Sequence, residues 1–351
     1  MKTSYKAEDV TVLLKDITGM IKPLPTEERE KKIQKGVHYS EMLPLEYRPS
    51  EQYMHLYKQA LFLHSQKTAM AVQLLGEKII AEKGKEVVLV SLARAGTPIG
   101  ILLKRYFKKI YAIEVPHYTI SIIRGRGIDK NAMDYILQRH DAAKIQFVDG
   151  WIGKGAIIKQ LQKATEYDEN LSSELAVLAD PARMTRLCGT TEDFLIPSAC
   201  LNAVVSGLFS RTVYNRDVIG EKDFHGAVYY KELERKDLSY DFIENIEKYF
   251  DENAVLDFSA PAKTKTGWQE AEEIAKKFHI QDINFVKPGI GETTRVLLRR
   301  MPWKILVRDK KDTEYIGHIL KLAEEKSVAV EEYPLQTYRA CGLIRDLHAD
   351  V

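Results

Sequence analysis

Three short apolar runs in the middle of the chain, each ending at a turn, most constrain what this sequence can fold into. The runs cover residues 87–93 (VVLVSLA), 144–150 (KIQFVDG) and 174–180 (ELAVLAD). Runs of this length without polar alternation indicate strands that are buried on both faces, as in parallel sheets. Because parallel strands are joined by helical crossovers of one hand, we predict an α/β fold whose parallel sheet has helices on both faces.

Helical spacing of apolar residues predicts the elements around these strands. We expect a helix over 51–83 with Gly84 after its end, a strand over 109–121 and helices over 130–140 and from about Ser198 to Arg211. A smaller α/β unit follows, with helices predicted over 267–278, 292–300 and 313–326.

The length of 351 residues indicates more than one domain. Residues 1–50 contain four prolines and a charged run, so we expect an irregular N-terminal extension there. The main domain is predicted over 51–258 and the small C-terminal domain over 262–351, with a linker at 259–262 between them.

Charge and cysteine content argue against several classes of protein. The 52 basic and 50 acidic residues leave a net charge of +2, so any nucleic-acid binding must come from a local patch. Three cysteines without a CxxC pair form neither a disulfide framework nor a zinc motif. The sequence shows no signal peptide and no run of about eighteen apolar residues, so we expect a cytoplasmic protein that does not bind membranes.

The turn after the second apolar run has the features of a phosphate site. Asp149 ends the strand, and Gly150, Gly153, Lys154 and Gly155 follow before a helix begins. Glycines let backbone N–H groups approach a phosphate, and a carboxylate at the end of a strand can accept hydrogen bonds from ribose hydroxyls. A tightly packed turn without a ligand would explain the same glycines.

The turn after the first apolar run repeats this design. Arg94, Ala95 and Gly96 follow the strand, and Pro98 suits the first turn of the next helix. A guanidinium group can bind pyrophosphate oxygens in pairs, although an ordinary surface arginine is the alternative. Two such turns after neighbouring strands predict a site for a ribose phosphate.

The two turns resemble the pyrophosphate loop and the PRPP-binding loop of the type I phosphoribosyltransferases, with Gly150 in place of that family's second acidic residue. More closely, residues 148–157 (VDGWIGKGAI), 178–182 (LADPA) and 189–213 resemble a bacterial phosphoribosyltransferase-like family found with tellurite-resistance gene clusters. That family is also labelled a cysteine protease. The resemblance implies a type I phosphoribosyltransferase-like sheet.

The same resemblance implies an activity, that of a glycosyltransferase of the pentosyltransferase class. PRPP would transfer its phosphoribosyl group to an unidentified small-molecule acceptor, a base or nucleoside-like compound, in a stress-resistance pathway, and pyrophosphate would leave. Mg²⁺ is expected to bridge oxygens of the ligand, with few ligands from the protein. Asp149 is then a catalytic residue with Arg124 and Arg126, which fall where the family has a flexible hood.

Three residues are candidates for binding the acceptor: Asp180, Asp193 and Asn202. Asn202 and Ser206 are four residues apart and would share one face of the predicted helix. A buried polar pair explains that spacing equally well.

Two other functions remain open. The missing second acidic residue suits a module that binds PRPP or a nucleotide without turnover. A cysteine protease would need Cys188 or Cys200 as the nucleophile, with His140 or His225 as the base. No local protease signature surrounds either cysteine, and a cysteine in an apolar run is more often a small buried side chain.

The C-terminal unit contains a basic segment, residues 287–311, with eight basic and two acidic residues. Gly289, Glu292, Thr294 and Arg295 resemble the signature of the pelota and kink-turn-binding ribosomal protein family, with Gly291 in place of an asparagine. The resemblance implies a pelota-like domain that binds structured RNA, whereas a solvated basic helix face is the alternative. A homodimer is also among the expected partners.

Overall fold

The computed structural model describes residues 1–46, 48–259 and 266–344. The helices of these ranges are α1 (Thr26–Gln34), α2 (Glu51–Lys83), α3 (Gly96–Tyr111), α4 (Lys130–Leu137), α5 (Ala156–Thr165), α6 (Ser239–Glu247), α7 (Gly267–Lys277), α8 (Ile290–Arg299) and α9 (Thr313–Glu325). The strands are β1 (Thr11–Val12), β2 (Lys15–Asp16), β3 (Val88–Leu92), β4 (His117–Ile120), β5 (Ile122–Ile123), β6 (Gly127–Ile128), β7 (Ile145–Trp151), β8 (Leu175–Ala179), β9 (Cys188–Thr190), β10 (Gly226–Ala227), β11 (Val286–Pro288), β12 (Pro302–Val307), β13 (Ala329–Glu332) and β14 (Ala340–Ile344).

The three apolar runs form the centre of a six-stranded sheet with the order β1-β4-β3-β7-β8-β9. All of its neighbouring strands are parallel. Successive residues of one strand face opposite sides, so Leu89 and Val148 pack in the core that includes α2 and α3, whereas Val90 and Phe147 pack in the core that includes α4 and α5. This arrangement confirms the predicted α/β fold with a parallel sheet between helices.

Short strands in the N-terminal segment were not predicted. β1 pairs with β4 at the edge of the main sheet, where Thr11 lies opposite Tyr118. β2 pairs with β10, where Lys15 lies opposite Gly226. Strands of two residues have no periodic sequence signal, so a pattern of apolar residues cannot reveal them.

The long helices were predicted well. α2 spans the predicted residues, because the Ser50 hydroxyl accepts from the backbone N–H of Tyr53 at its start and Gly84 ends it with φ of 75°. The three C-terminal helices α7, α8 and α9 begin and end within two residues of their predicted bounds.

Two other predicted elements were wrong. In the range 109–121, α3 continues to Tyr111, Ala112 ends the helix in the left-handed region, and only β4 is a strand of the main sheet. In place of the helix at 198–211 there are two short 3₁₀ turns, and Leu208 has φ of 57°. Asn202 and Ser206 therefore share no helical face.

The C-terminal domain has its own four-stranded sheet with the order β11-β14-β12-β13. β14 runs antiparallel to β11 and β12, whereas β12 and β13 are parallel. Its core includes Ile274, Val286, Leu306 and Leu343. The predicted linker lies outside the described residues from position 260 onward.

Two charged side chains of the main domain bind the backbone of the C-terminal domain. The buried Asp193 carboxylate accepts hydrogen bonds from the backbone N–H groups of Ile290 and Arg339, both at 2.8 Å. The Lys154 ammonium group donates to the carbonyl oxygens of Ile283 and Val286. These bonds satisfy buried backbone groups that would otherwise lack partners, so they hold the two domains together.

We predict that Asp193→Ala destabilises the protein by about 2–4 kcal/mol, since it leaves two buried N–H donors without an acceptor. Urea unfolding monitored by fluorescence measures this change. The matched control is Asp251→Ala, which removes an exposed carboxylate that accepts from the backbone N–H of Asn253 at 2.9 Å and should cost less than about 0.5 kcal/mol. Equal stabilities of the two variants would contradict the role of Asp193.

Candidate functional site

The two predicted phosphate turns lie side by side at the carboxyl ends of the strands in the main sheet. β3 and β7 are neighbours, with Ser91 opposite Val148, so both turns emerge at the carboxyl ends of adjacent strands. The backbones are in contact: a Cβ atom on Gly96 would lie 2.4 Å from the carbonyl oxygen of Val148 and 3.0 Å from the Cα of Asp149. A side chain at position 96 would push the turns apart.

Asp149 lies near the carboxyl end of β7 and is partly buried. Its carboxylate accepts a hydrogen bond of 2.7 Å from the backbone N–H of Gly150. Burial raises the pKa of the Asp149 carboxyl to about 7, against the opposing effects of that bond and of the Arg295 charge. Near neutral pH the group is therefore divided between two protonation states, and it can accept or donate a hydrogen bond to a ligand hydroxyl.

A chamber of about 270 Å³ lies over Asp149. Ala95, Asp149 and Arg124 line it from the main domain, whereas Lys287 and Glu292 line it from the C-terminal domain. The charges of Arg295 and Lys287 outweigh the effect of burial and hold the pKa of Glu292 below its ordinary value. Two carboxyl groups in different protonation environments thus share one chamber.

A larger cleft of about 700 Å³ adjoins this chamber, and Lys287 and Glu292 line both spaces. Arg94 and Asn202 line the cleft from the main domain, and Arg295 lines it from α8. The other basic side chains of its lining are Arg29, Arg48, Arg211 and Arg300. Glu46 and Glu292 are the acidic side chains among the lining residues, so the cleft has a surplus of five positive charges and attracts anions.

The glycine turn after β7 contacts the C-terminal domain. The Tyr338 hydroxyl donates to the carbonyl oxygen of Gly153 at 2.5 Å, and a Cβ atom on Gly153 would lie 3.7 Å from Glu292 Cγ. Gly155 has φ of 88° at the start of α5. Lys154, which was expected at a phosphate, has its ammonium group on the carbonyl oxygens of the other domain, and burial lowers its pKa to about 8.

Other predicted site residues have partners within the protein. Asp180 accepts from the backbone N–H groups of Met184 and Thr185, and burial raises its pKa to about 6. Arg126 forms an ion pair of 2.5 Å with Glu41. These contacts and that of Asp193 with the C-terminal domain give the three side chains structural roles.

Arg124 also bridges the domains. Its guanidinium group donates to the side chain of Asn284 at 2.8 Å, and its side chain lines the chamber with Asp149. The structure therefore brings Arg124 and Asp149 to one space, whereas it pairs Arg126 with the N-terminal segment.

Two of the four signature residues of the C-terminal domain, Glu292 and Arg295, line the cleft towards the main domain. Gly289 precedes α8 with φ of 92°, and the buried Thr294 hydroxyl contacts the carbonyl oxygen of Ile290 and the His318 ring. The Arg295 guanidinium lies 5.6 Å from the centre of the Trp151 ring. Glu292 and Arg295 therefore form a wall of the interdomain space.

Several lining residues were missed by sequence reasoning. Arg29 and Glu46 lie in the segment that was predicted to be an irregular extension, and Arg211 was placed at the end of a helix that does not form. The signal that could have indicated Arg211 is its place in the GLFSRTV segment, 207–213, where small and polar residues interrupt the apolar pattern.

Among the described residues, the hydrogen-bond partners of His140 and His225 are hydroxyl groups rather than thiols. Cys188, Cys200 and Cys341 are all buried, and burial raises the pKa of the Cys188 thiol. His140 hydrogen-bonds the Tyr118 hydroxyl, and His225 hydrogen-bonds the Ser121 hydroxyl, both at 2.8 Å. For Cys188, this burial favours a neutral thiol rather than a thiolate nucleophile.

Among residues 1–46, 48–259 and 266–344, no group of three or more His, Cys, Asp or Glu side chains could hold a metal ion. Among the described helices, none combines the length and apolar character needed to span a lipid bilayer. The cytoplasmic location and the homodimer stay predictions.

Comparison with known proteins gives two family matches. Residues 3–247 match the family described as "Tellurite-like stress resistance cysteine protease StiP". Residues 265–346 match the "PELOTA RNA binding domain". A curated protein of Acinetobacter baylyi, "Cysteine protease StiP", is 36% identical over an alignment of 364 residues, gaps included. The alignment covers 98% of this chain and 94% of that protein. No solved structure matches the chain, so the likeness to type I phosphoribosyltransferases stays a prediction.

These matches correct the predicted activity. The prediction of a glycosyltransferase was wrong, because both the family and the A. baylyi protein are named cysteine proteases, which are hydrolases. The association with tellurite-like stress resistance and the pelota-type C-terminal domain were predicted correctly. The chain belongs to the StiP family of tellurite-like stress resistance proteins, and its residues 265–346 match the pelota RNA-binding domain.

Proposed function

We propose that this stress-resistance protein binds a phosphorylated ribose compound, of the PRPP or nucleotide class, in the cleft between its two domains. One observation carries the proposal. The chamber that contains Asp149, at the end of β7, adjoins a cleft whose lining has a surplus of five positive charges. The carboxyl group suits ribose hydroxyls, and the guanidinium groups suit phosphate oxygens. The proposed role is binding and needs no transfer reaction.

The residues of the chamber are compatible with a bound Mg²⁺ ion. Mg²⁺ usually takes one or two carboxylates together with ligand phosphates, and Asp149 and Glu292 line the same chamber. The ion would offset negative charge where the phosphates approach these carboxylates. We therefore propose that Mg²⁺ accompanies the ligand rather than occupying a site made by the protein alone.

RNA is a further proposed partner, supported by the match of residues 265–346 to the pelota domain. Glu292 and Arg295 line the interdomain cleft, and Thr294 is buried. RNA that used these signature residues would have to enter the same cleft. The proposal therefore has RNA and the phosphorylated ribose compound compete for one space.

Proteolysis is the second candidate function, because the matching family and the A. baylyi relative are named cysteine proteases. The nucleophile would have to be a thiol that is buried in this structure. Activity at Cys188 or Cys200 would thus require a rearrangement that exposes the thiol and brings a histidine to it.

We expect the full-length protein to bind PRPP in the presence of Mg²⁺. The Asp149→Asn variant should bind it at least about tenfold more weakly, because an amide NH₂ donor replaces one carboxylate oxygen that can accept a hydrogen bond from a ribose hydroxyl. Isothermal titration calorimetry measures both affinities. Asp134→Asn, on the exposed face of α4, makes the same change outside the cleft and should bind like the wild type.

Competition with a structured RNA, measured at two salt concentrations, tests whether RNA occupies the same cleft. RNA that leaves PRPP binding unchanged would contradict the shared space. Failure of the wild-type protein to bind either PRPP or nucleotides, or equal affinities of the Asp149 and Asp134 variants, would contradict the proposed ligand site.

We predict that Asp149→Asn stabilises the protein without ligand above neutral pH. The carboxyl pKa rises from about 3.9 in the unfolded chain to about 7 in the folded protein, so ionisation costs the wild type stability as pH rises through this interval. The advantage of the variant should grow from about pH 4 to pH 7 and stay constant above.

For this partly buried group we expect an advantage of about 2 kcal/mol or less. Urea unfolding at pH 4.5 and pH 8 measures it. An advantage that does not change between these pH values would show that burial does not raise this pKa. An unimpaired fold would also assign any loss of PRPP binding to the site itself.

A thiol measurement tests proteolysis. We expect Cys188 and Cys200 in the native protein to react with iodoacetamide at least about tenfold more slowly than in urea, because buried neutral thiols are poor nucleophiles. Mass spectrometry of the alkylated protein gives the rates. Fast native alkylation, together with a peptidase activity that Cys188→Ala or Cys200→Ala abolishes, would establish the second candidate instead.

A further inference from the structure

The aromatic side chain of Trp151 lines the chamber over Asp149. Asp149 and Trp151 are separated by one residue of β7, and side chains two residues apart on a strand project to the same side. At about 3.3 Å per residue, their Cα atoms are about 7 Å apart. A large flat ring therefore lies beside the carboxyl group that is proposed to bind ribose hydroxyls.

Trp151 also lies next to the basic cleft. A small recess beside the chamber is lined by Trp151 together with Arg94, Asn202 and Arg295, and these last three residues also line the cleft. The ring thus borders the chamber on one side and the surroundings of the cleft on the other. A ligand that extended from Asp149 to the cations of the cleft would pass along this ring.

The guanidinium group of Arg295 lies over the Trp151 ring, 5.6 Å from its centre. A flat group stacked between them needs about 7 Å, which is twice a contact distance of about 3.5 Å, so the guanidinium would have to move outward by only about 1.5 Å. The ion pair of Arg295 with Glu292 is long, at 3.9 Å, and can adjust to this movement. Ring and guanidinium therefore form two walls that a planar molecule can separate.

These groups match the three parts of a nucleotide. The Asp149 carboxyl suits ribose hydroxyls, and the cations of the cleft suit phosphate oxygens. Nucleobases stack on aromatic rings and on the guanidinium planes of arginines, which are the two surfaces that Trp151 and Arg295 offer. Because a base is bonded directly to the ribose, it must lie next to the group that binds the sugar, as Trp151 does.

We propose that Trp151 and Arg295 form a slot for a nucleobase, so that the protein binds a nucleotide more tightly than the same ribose phosphate without a base. This inference rests on the proposed function and narrows its ligand class to nucleotides. Trp151 is then a specificity-determining residue, which acts on the base while Asp149 acts on the sugar. Stacking tolerates every base, since each has a flat face, so the slot selects for the presence of a base.

Ribose 5-phosphate and the nucleotides AMP, GMP, CMP and UMP are the probes, because they differ in the base. Isothermal titration calorimetry of the full-length wild type should show at least one nucleotide binding about fivefold or more tightly than ribose 5-phosphate. Trp151→Leu should remove this preference and change the affinity for ribose 5-phosphate less than about twofold. Trp151→Phe should keep part of the preference, because a smaller ring still stacks.

Trp268→Leu is the matched control. Trp268 also has a cation over its ring, since the Lys159 ammonium group lies 3.7 Å from the ring centre, but it belongs to α7, away from the residues that line the two spaces. This variant should keep the preference of the wild type. If Trp151→Leu weakens the binding of nucleotides and ribose 5-phosphate by the same factor, Trp151 only packs between the domains and the inference is wrong.

Fluorescence gives a second measurement that keeps the Trp151 ring in place. The chain has three tryptophans, so replacing the other two, by Trp268→Phe and Trp303→Phe, leaves Trp151 as the single indole. A saturating nucleotide should quench the emission of this protein by stacking, whereas saturating ribose 5-phosphate should leave it nearly unchanged. A nucleotide that binds without altering the emission would overturn the slot even if Trp151→Leu does not fold.

The remaining outcomes distinguish the two proposals. If the wild type binds ribose 5-phosphate or PRPP through Asp149 and no nucleotide binds more tightly than ribose 5-phosphate, the nucleobase slot is wrong while the proposed function stands. If neither the ribose phosphates nor the nucleotides bind to the wild type, both proposals fail.

Discussion

The contact between the backbone of Gly96 and that of Val148 and Asp149 is the constraint on which the site depends. Parallel pairing of β3 with β7 sets the two turns next to each other, and the absence of a side chain at position 96 lets them touch. The apolar strands that build this pairing are buried on both faces, so close packing in two cores holds their side chains in place. Rigid strands thus position the chamber that contains Asp149.

The C-terminal domain packs over the carboxyl ends of the strands and so encloses a cleft between the two domains. Asp193 and Lys154 bind backbone groups of that domain, and the start of α8 becomes a wall opposite the two turns. Glu292 and Arg295 of the signature line this cleft, so a ligand that used these two residues would have to enter it.

Sequence reasoning succeeded where local physics decides the structure. α2 was predicted because Ser50 and Gly84 mark its ends, and the central strands were predicted because double-sided burial leaves continuous apolar runs. It failed over 109–121 and 198–211, where apolar residues continue across a change of structure at Ala112 and Leu208. Backbone reversals of this kind depend on packing that no single window of sequence contains.

Some features of the candidate site could be predicted from local sequence, and others could not. The proximity of the turns followed from strand order, whereas the partners of Lys154 and Asp193 are backbone groups of another domain more than ninety residues away. The charge of a side chain can be read from sequence, but its availability to a ligand depends on whether the fold already uses it.

Two charged groups of the interdomain space show how the fold leaves side chains available to a ligand. Burial raises the pKa of Asp149 and lowers that of Arg211, so each is less stable in its charged form than it would be in water. Placing them in direct contact would have relieved both effects and left nothing for a ligand. The protein instead places Asp149 and Arg211 in the linings of two adjoining spaces between the domains. The proposed ribose phosphate, with hydroxyl groups at one end and phosphate at the other, would offer a partner to both groups.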